Sequence, residues 1–148
     1  LGEERPRLAI FDFELQDVSH EGELNERRKD ETARLDRLSA ELRDLMTSTG
    51  RYEIVDLSAA REEIAGRRPL RTCNGCDIEI AKRLGATQSV LGVVYKVSNL
   101  ILEIHMYVRD TKTGHVINHM HANIRGNTDE SWLHGLRWLI RNRLDAGN

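Results

Sequence analysis

The stretch that most narrows the fold runs from Gln88 to Leu144, where three β-rich runs lead into one amphipathic helix. The runs are SVLGVVYKV, NLILEIHMYVRD and HVINHMHANIRG, and the helix opens at NTDESW. Leu100, Leu102, Ile104, Met106 and Val108 form one apolar face of the second run, alternating with Ile101, Glu103, His105, Tyr107 and Arg109. Alternation of this kind belongs to a strand with one buried face and one open face. Ser98-Asn99 forms a tight turn, and Asp110 to Gly114 a longer one in which Gly114 supplies positive φ. Turns this short make the three strands antiparallel.

One register keeps polar groups out of the core. It sets the apolar face of the middle strand against Val116, Met120, Ala122 and Ile124 on one side, and Leu91, Val93, Tyr95 and Val97 on the other. The opposite face then carries Ile101, Glu103, His105, Tyr107 and Arg109 beside Ile117, His119, His121, Asn123 and Arg125. His105 falls across from His119 and Glu103 across from His121, with Gly92 leaving room above His105. A slip of one residue would reverse every side chain.

Upstream, Arg7 to Phe13 reads as a central strand, with Leu8 and Ile10 on one face and Ala9, Phe11 and Phe13 on the other. Glu14 to Lys29 is acidic and polar and reads as a mobile loop. Leu35, Leu38, Leu42 and Leu45 recur at helical spacing, which predicts a helix over Asp30 to Thr47 closed by Gly50. A strand at Tyr52 to Leu57 follows, then a short helix N-capped by Ser58 and ending at Gly66. Pro69 to Asn74 is irregular. Cys76 to Leu84 is helical, with Ile78, Ala81 and Leu84 inward. The last helix, capped from Asn127 or Thr128, buries Trp132, Leu133, Leu136, Leu139, Ile140 and Leu144. Trp138 falls off that stripe, on the side of His134 and Arg141.

The order β-α-β-α-α-β-β-β-α describes one α/β domain over residues 1–148. Its mixed sheet has about five to six strands, parallel first and antiparallel in the C-terminal hairpins, with helices packed on it. The balance of 22 basic against 24 acidic residues, net charge -2, argues against a nucleic-acid partner. No apolar run reaches the roughly 20 residues that span a bilayer. The opening Leu-Gly-Glu-Glu-Arg-Pro reads as a terminus trimmed after export.

Two clusters carry chemistry. Cys73-Asn-Gly-Cys76 brings two thiols together across one turn at a helix start, a setting for a structural disulfide, a redox-active thiol pair or half a metal site. Asp77 stands where haem attachment would need His. The second cluster is Glu103, His105, His119 and His121 on one sheet face, either copper or zinc ligands or part of a polar docking surface. Met106 and Met120 point into the core and are not ligands. Tyr107, His119, Trp138 and Arg141 are the candidate partner contacts, since exposed aromatic and arginine side chains anchor interfaces. Asp12 and Asp56 sit at strand ends without a phosphate-binding loop or nucleophile elbow beside them, and Gly126 to Asp129 reads as plain capping. No nucleophile–base pairing is legible, so a non-catalytic chain without a cofactor is expected.

The segments LAIFDF, RLDRLSAELRDLM, YEIVD, CNGCDIEIAKRLGA, KVSNLIL, VRDTKTG and RGNTDESWLHGLRWLIRNRL together resemble a bacterial exported domain family of unknown function. That family in turn looks like the TolB amino-terminal domain and CsgG-like domains. The resemblance implies a periplasmic accessory domain that works through envelope protein partners, and it carries over no catalytic residue.

Overall fold

The computed structural model describes residues 4–19 and 29–144. Six strands form one mixed sheet: β1 (Arg7–Ile10), β2 (Glu14–Asp17), β3 (Glu53–Ile54), β4 (Gln88–Lys96), β5 (Leu102–Asp110) and β6 (Val116–Ile124). Four helices accompany them: α1 (Lys29–Ser48), α2 (Arg61–Arg67), α3 (Cys76–Arg83) and α4 (Asp129–Leu139), the last running into a π-helical turn at Ile140–Leu144. The strand order is β3-β1-β4-β5-β6, with β2 also on β4. β1, β2 and β3 make parallel pairs, and β4, β5 and β6 make antiparallel ones, as the connections require.

The first strand is broken, and the break corrects the sequence reading twice. β1 pairs with Gln88 to Val90 and β2 with Val93 to Lys96, so both lie along β4. Between them the Phe13 N–H leaves the ladder and donates to Ser39 Oγ on α1, at 2.8 Å. The jog turns Phe13 to the same side as Leu8 and Ile10, not to the side of Ala9 and Phe11. It also means that Glu14 to Asp17, expected in a loop, is a strand. Residues 20–28 of that expected loop lie outside the described residues. Glu14 is buried because its carboxylate accepts from the Leu70 and Arg71 N–H groups and pairs with the Arg71 guanidinium.

Two layers of helix enclose the sheet. On one face Leu8, Ile10, Val90, Val94, Ile104 and Met106 meet α1 and α4 through Leu38, Leu42, Trp132 and Leu136. On the other, Ala9, Phe11 and Leu91 meet α2 and α3 through Ile64, Cys76, Ile80 and Ala81. The inward side of α3 is thus Cys76, Asp77, Ile80 and Ala81 rather than Ile78, and Leu84 at its C-cap packs against the same cluster. Asp77 tolerates burial by accepting from Ser89 Oγ. The Ser58 side chain does not cap α2; its backbone N–H donates to Asp56 Oδ1 at 2.9 Å. α4 is capped by Thr128, whose Oγ1 accepts from the Ser131 N–H. That frees Asn127 to donate to Glu31 Oε2.

Glu31 belongs to the most deeply buried charge pair. Its carboxylate lies 2.6 Å from Lys96 Nζ, and both side chains are fully enclosed. The pair ties the start of α1 to the end of β4, and Asn127 extends the tie to α4. Around it, Arg34 bonds Asp129 and Asn127.

Candidate functional site

The register of the last three strands decides which side chains meet. β5 alternates as expected: Leu102, Ile104, Met106 and Val108 are buried, whereas Glu103, His105 and Tyr107 are half-buried on the opposite face. On β6, Met120 and Ile124 are buried while His119, His121 and Asn123 are exposed. Leu100 and Val116, expected in the core, are 76% and 49% exposed.

The facing partners differ from the expected ones. His105 lies across from His121, Tyr107 from His119, and Glu103 from Asn123. The ladder is therefore offset by two residues from the sequence reading, and a bulge between Val108 and Arg109 accompanies the offset. β4 is turned over as well. Val90, Gly92 and Val94 face α1 and α4, so Leu91, Val93 and Tyr95 share the side of His105. Gly92 leaves no room above His105. A Cβ there would run into the Phe13 ring, so the glycine exists for the close approach of Phe13.

These placements assemble five rings. Tyr95 meets His105 edge-on at 4.7 Å between centroids. His105 stacks with His119 and with His121, each at 5.1 Å. Tyr107 stacks on His119 at 4.4 Å with planes 8° apart. Polar contacts tie the rings together. His105 Nε2 lies 2.8 Å from Glu103 Oε1, and His105 Nδ1 lies 2.9 Å from His119 Nε2. The Tyr95 and Tyr107 hydroxyls are 3.3 Å apart. The Arg109 guanidinium lies 5.8 Å over the Tyr107 ring.

The surroundings shift two of these groups. Burial first, then the Tyr95 hydrogen bond, pushes the Tyr107 hydroxyl up to about 12. Burial first, then the neighbouring His105 and His121 charges, holds His119 below its ordinary value. The His119 imidazole therefore resists taking up a proton. It can stack, hydrogen-bond and exchange a proton. Among the described residues, no serine, threonine or cysteine side chain hydrogen-bonds any of the five rings.

Both His105 nitrogens are engaged, by Glu103 and by His119. Among the described residues no group of three or more His, Cys, Asp or Glu is arranged to hold a metal ion. Glu103, His105, His119 and His121 thus share one face, tied to one another through His105.

Cys73 and Cys76 are joined as a disulfide across 5.5 Å between Cα atoms. Asn74 and Gly75 both take positive φ to make the turn. Cys76, the first residue of α3, is buried in the core that α2 and α3 form with the sheet.

Of the expected partner contacts, Tyr107 and His119 belong to the ring cluster and Trp138 and Arg141 do not. Trp138, 39% exposed, borders a groove of about 340 Å³ with His121, Ala122, Asn123, His134 and Gly135. Arg143, not Arg141, lies over its ring, at 5.7 Å. Tyr95 is the ring-face member that the sequence reading put in the core. The signal that could have found it is Gly92, whose missing side chain marks the crowded face and so assigns the odd-numbered residues of β4 to the other.

Residues 6–144 match the family described as a protein of unknown function (DUF2380), and the chain belongs to that family. No curated protein matches it in sequence. Solved structures share its fold. The LpoB C-terminal domain from Escherichia coli aligns with a TM-score of 0.60 at 17% identity, covering 81% of this chain and 82% of that one. Lipoprotein GNA1162 from Neisseria meningitidis aligns with 0.53 at 14%, covering 94% and 96%. The PelC dodecamer from Paraburkholderia phytofirmans gives 0.52 at 10%, covering 92% and 86%. At these identities the likeness shows the fold.

Proposed function

We propose that this member of the DUF2380 family is a non-catalytic accessory domain of the bacterial envelope that binds a protein partner through the ring-bearing face of β4, β5 and β6. The observation that carries the reading is the cluster of Tyr95, His105, Tyr107, His119 and His121, none of which belongs to either core cluster. Tyrosine offers large, stiff contact area with a polar tip, and the centre of an interface favours such groups. Histidine adds donors and acceptors that a partner's backbone can satisfy.

A periplasmic setting fits the disulfide, because an oxidising compartment preserves such bonds. It also fits the lipoproteins among the fold relatives. No helix among the described residues is long and apolar enough to cross a membrane. The finer kinship to TolB rests on element order alone. Burial of Cys76 favours a structural bridge over a thiol exchanger, since exchange needs an accessible sulfur.

The test is site-specific photo-crosslinking in the envelope of the source bacterium. A photoreactive residue at His121 should capture one discrete partner, and the same residue at Asp36 on α1 should not. Equal capture from both positions, or from neither, would remove the ring face as the site.

A further inference from the structure

The sheet has one edge unlike its others. β3 is two residues long, carries Glu53, and is flanked by Arg51 and Asp56. β2 is four residues long and carries Glu14 and Asp17. Short, charged edges discourage another strand from adding. β6 is nine residues long, VINHMHANI, with no lysine, arginine, aspartate, glutamate or proline. Among the described residues it pairs with β5 alone, so its outer row of N–H and C=O groups faces outward. An edge of that length without a charge is a template for strand pairing. The groove lined by Ala122, Asn123 and Trp138 runs beside it, and its own Val116 and Ile117 are each about half exposed.

We propose that β6 pairs antiparallel with β6 of a second copy of this chain, forming a continuous sheet across a two-fold axis beside Met120. Three features make β6 complementary to its own copy. Directly opposed residues must point to the same face, so a two-fold pairing must centre on a residue and not between two. Centring on Met120 is the register that pairs all nine residues, with Val116 across from Ile124, Asn118 from Ala122 and His119 from His121. No lysine, arginine, aspartate or glutamate then opposes its like, because the strand has none. The same arrangement puts the ring faces of both copies on one side of the enlarged sheet, with His119 of one copy beside His121 of the other. The pairing does not depend on the docking reading above, and it uses the edge of β6 rather than its ring-bearing face.

The experiment keeps the two apart by leaving every ring in place. Sedimentation of the intact chain over a wide concentration range should show a monomer–dimer equilibrium. Val116→Lys/Asn123→Lys, which sets two charges on the edge, should weaken dimerisation about tenfold or more with an unchanged circular dichroism spectrum. Glu53→Lys on the β3 edge should leave it unaltered. The register is read by mixing Asn118→Cys with Ala122→Cys: the mixture should form a mixed disulfide dimer readily, and either variant alone should not. A wild-type chain that stays monomeric at every concentration overturns the proposal. So does a dimer indifferent to the two lysines, or one in which Asn118→Cys crosslinks to itself as readily as to Ala122→Cys. If the wild type is monomeric and the photo-crosslink from His121 to a partner persists, pairing fails while the docking reading stands.

Discussion

The two faces of the β4–β6 half are built from the same strands and do opposite things. On the closed face Val94, Leu102, Ile104, Met106 and Met120 pack under α1 and α4, and Lys96 is held there by Glu31. On the open face Tyr95, His105, Tyr107, His119 and His121 touch mainly one another. Removing a side chain from the first face exposes a void or an uncompensated charge, whereas removing one from the second exposes it to water. The difference separates what holds the domain together from what is available to a partner.

The strongest way to break that comparison is at its most enclosed point. Lys96→Met should cost about 3–5 kcal/mol, because it leaves Glu31 buried without its ammonium. Trp132→Ala should cost a similar amount, about 3–5 kcal/mol, by opening a cavity between α4 and the sheet. Chemical denaturation measures both. Gly92→Val should cost about 1–3 kcal/mol through overpacking against Phe13, with the ring face unaltered. On the open face the costs drop. Tyr107→Ala removes cross-strand contacts worth about 0.2–1 kcal/mol each, so its midpoint in urea should lie close to that of the wild type. A loss as large as that of Trp132→Ala would mean that the two faces are not separate.

The smallest effect is a pH dependence. His119 has a folded-state pKa below its unfolded value, so as pH falls through the ordinary histidine range the unfolded chain takes its proton first. Stability should therefore decline modestly between about pH 7 and pH 5, and His119→Gln should flatten that slope. A rise in stability over the same interval would reverse the assignment of burial and neighbouring charge as causes.

β5 was legible in the sequence because one of its faces is buried and the other is not, so its alternation is complete. β4 was not, for the opposite reason. Ser89 to Val94 are buried on both faces, under α1 and α4 on one side and α3 on the other, and a doubly buried strand carries no period. The His105–His121 pairing was hidden because a two-residue offset keeps every side chain on its face. Only the turn and the bulge at Val108/Arg109 fix it. β2 was hidden because Glu14 and Asp17 look like loop residues. The bonds that justify Glu14 come from Leu70 and Arg71, more than fifty residues away in the chain. The cysteine turn needed only local geometry and was readable.

The open face as a docking surface is tested most directly by His119→Glu/Tyr107→Ala, measured against the partner captured by the wild-type chain. The account predicts a double variant that melts near the wild type yet binds about tenfold or more weakly, a loss of roughly 1.4 kcal/mol or greater. Binding unchanged in that folded double variant would contradict it.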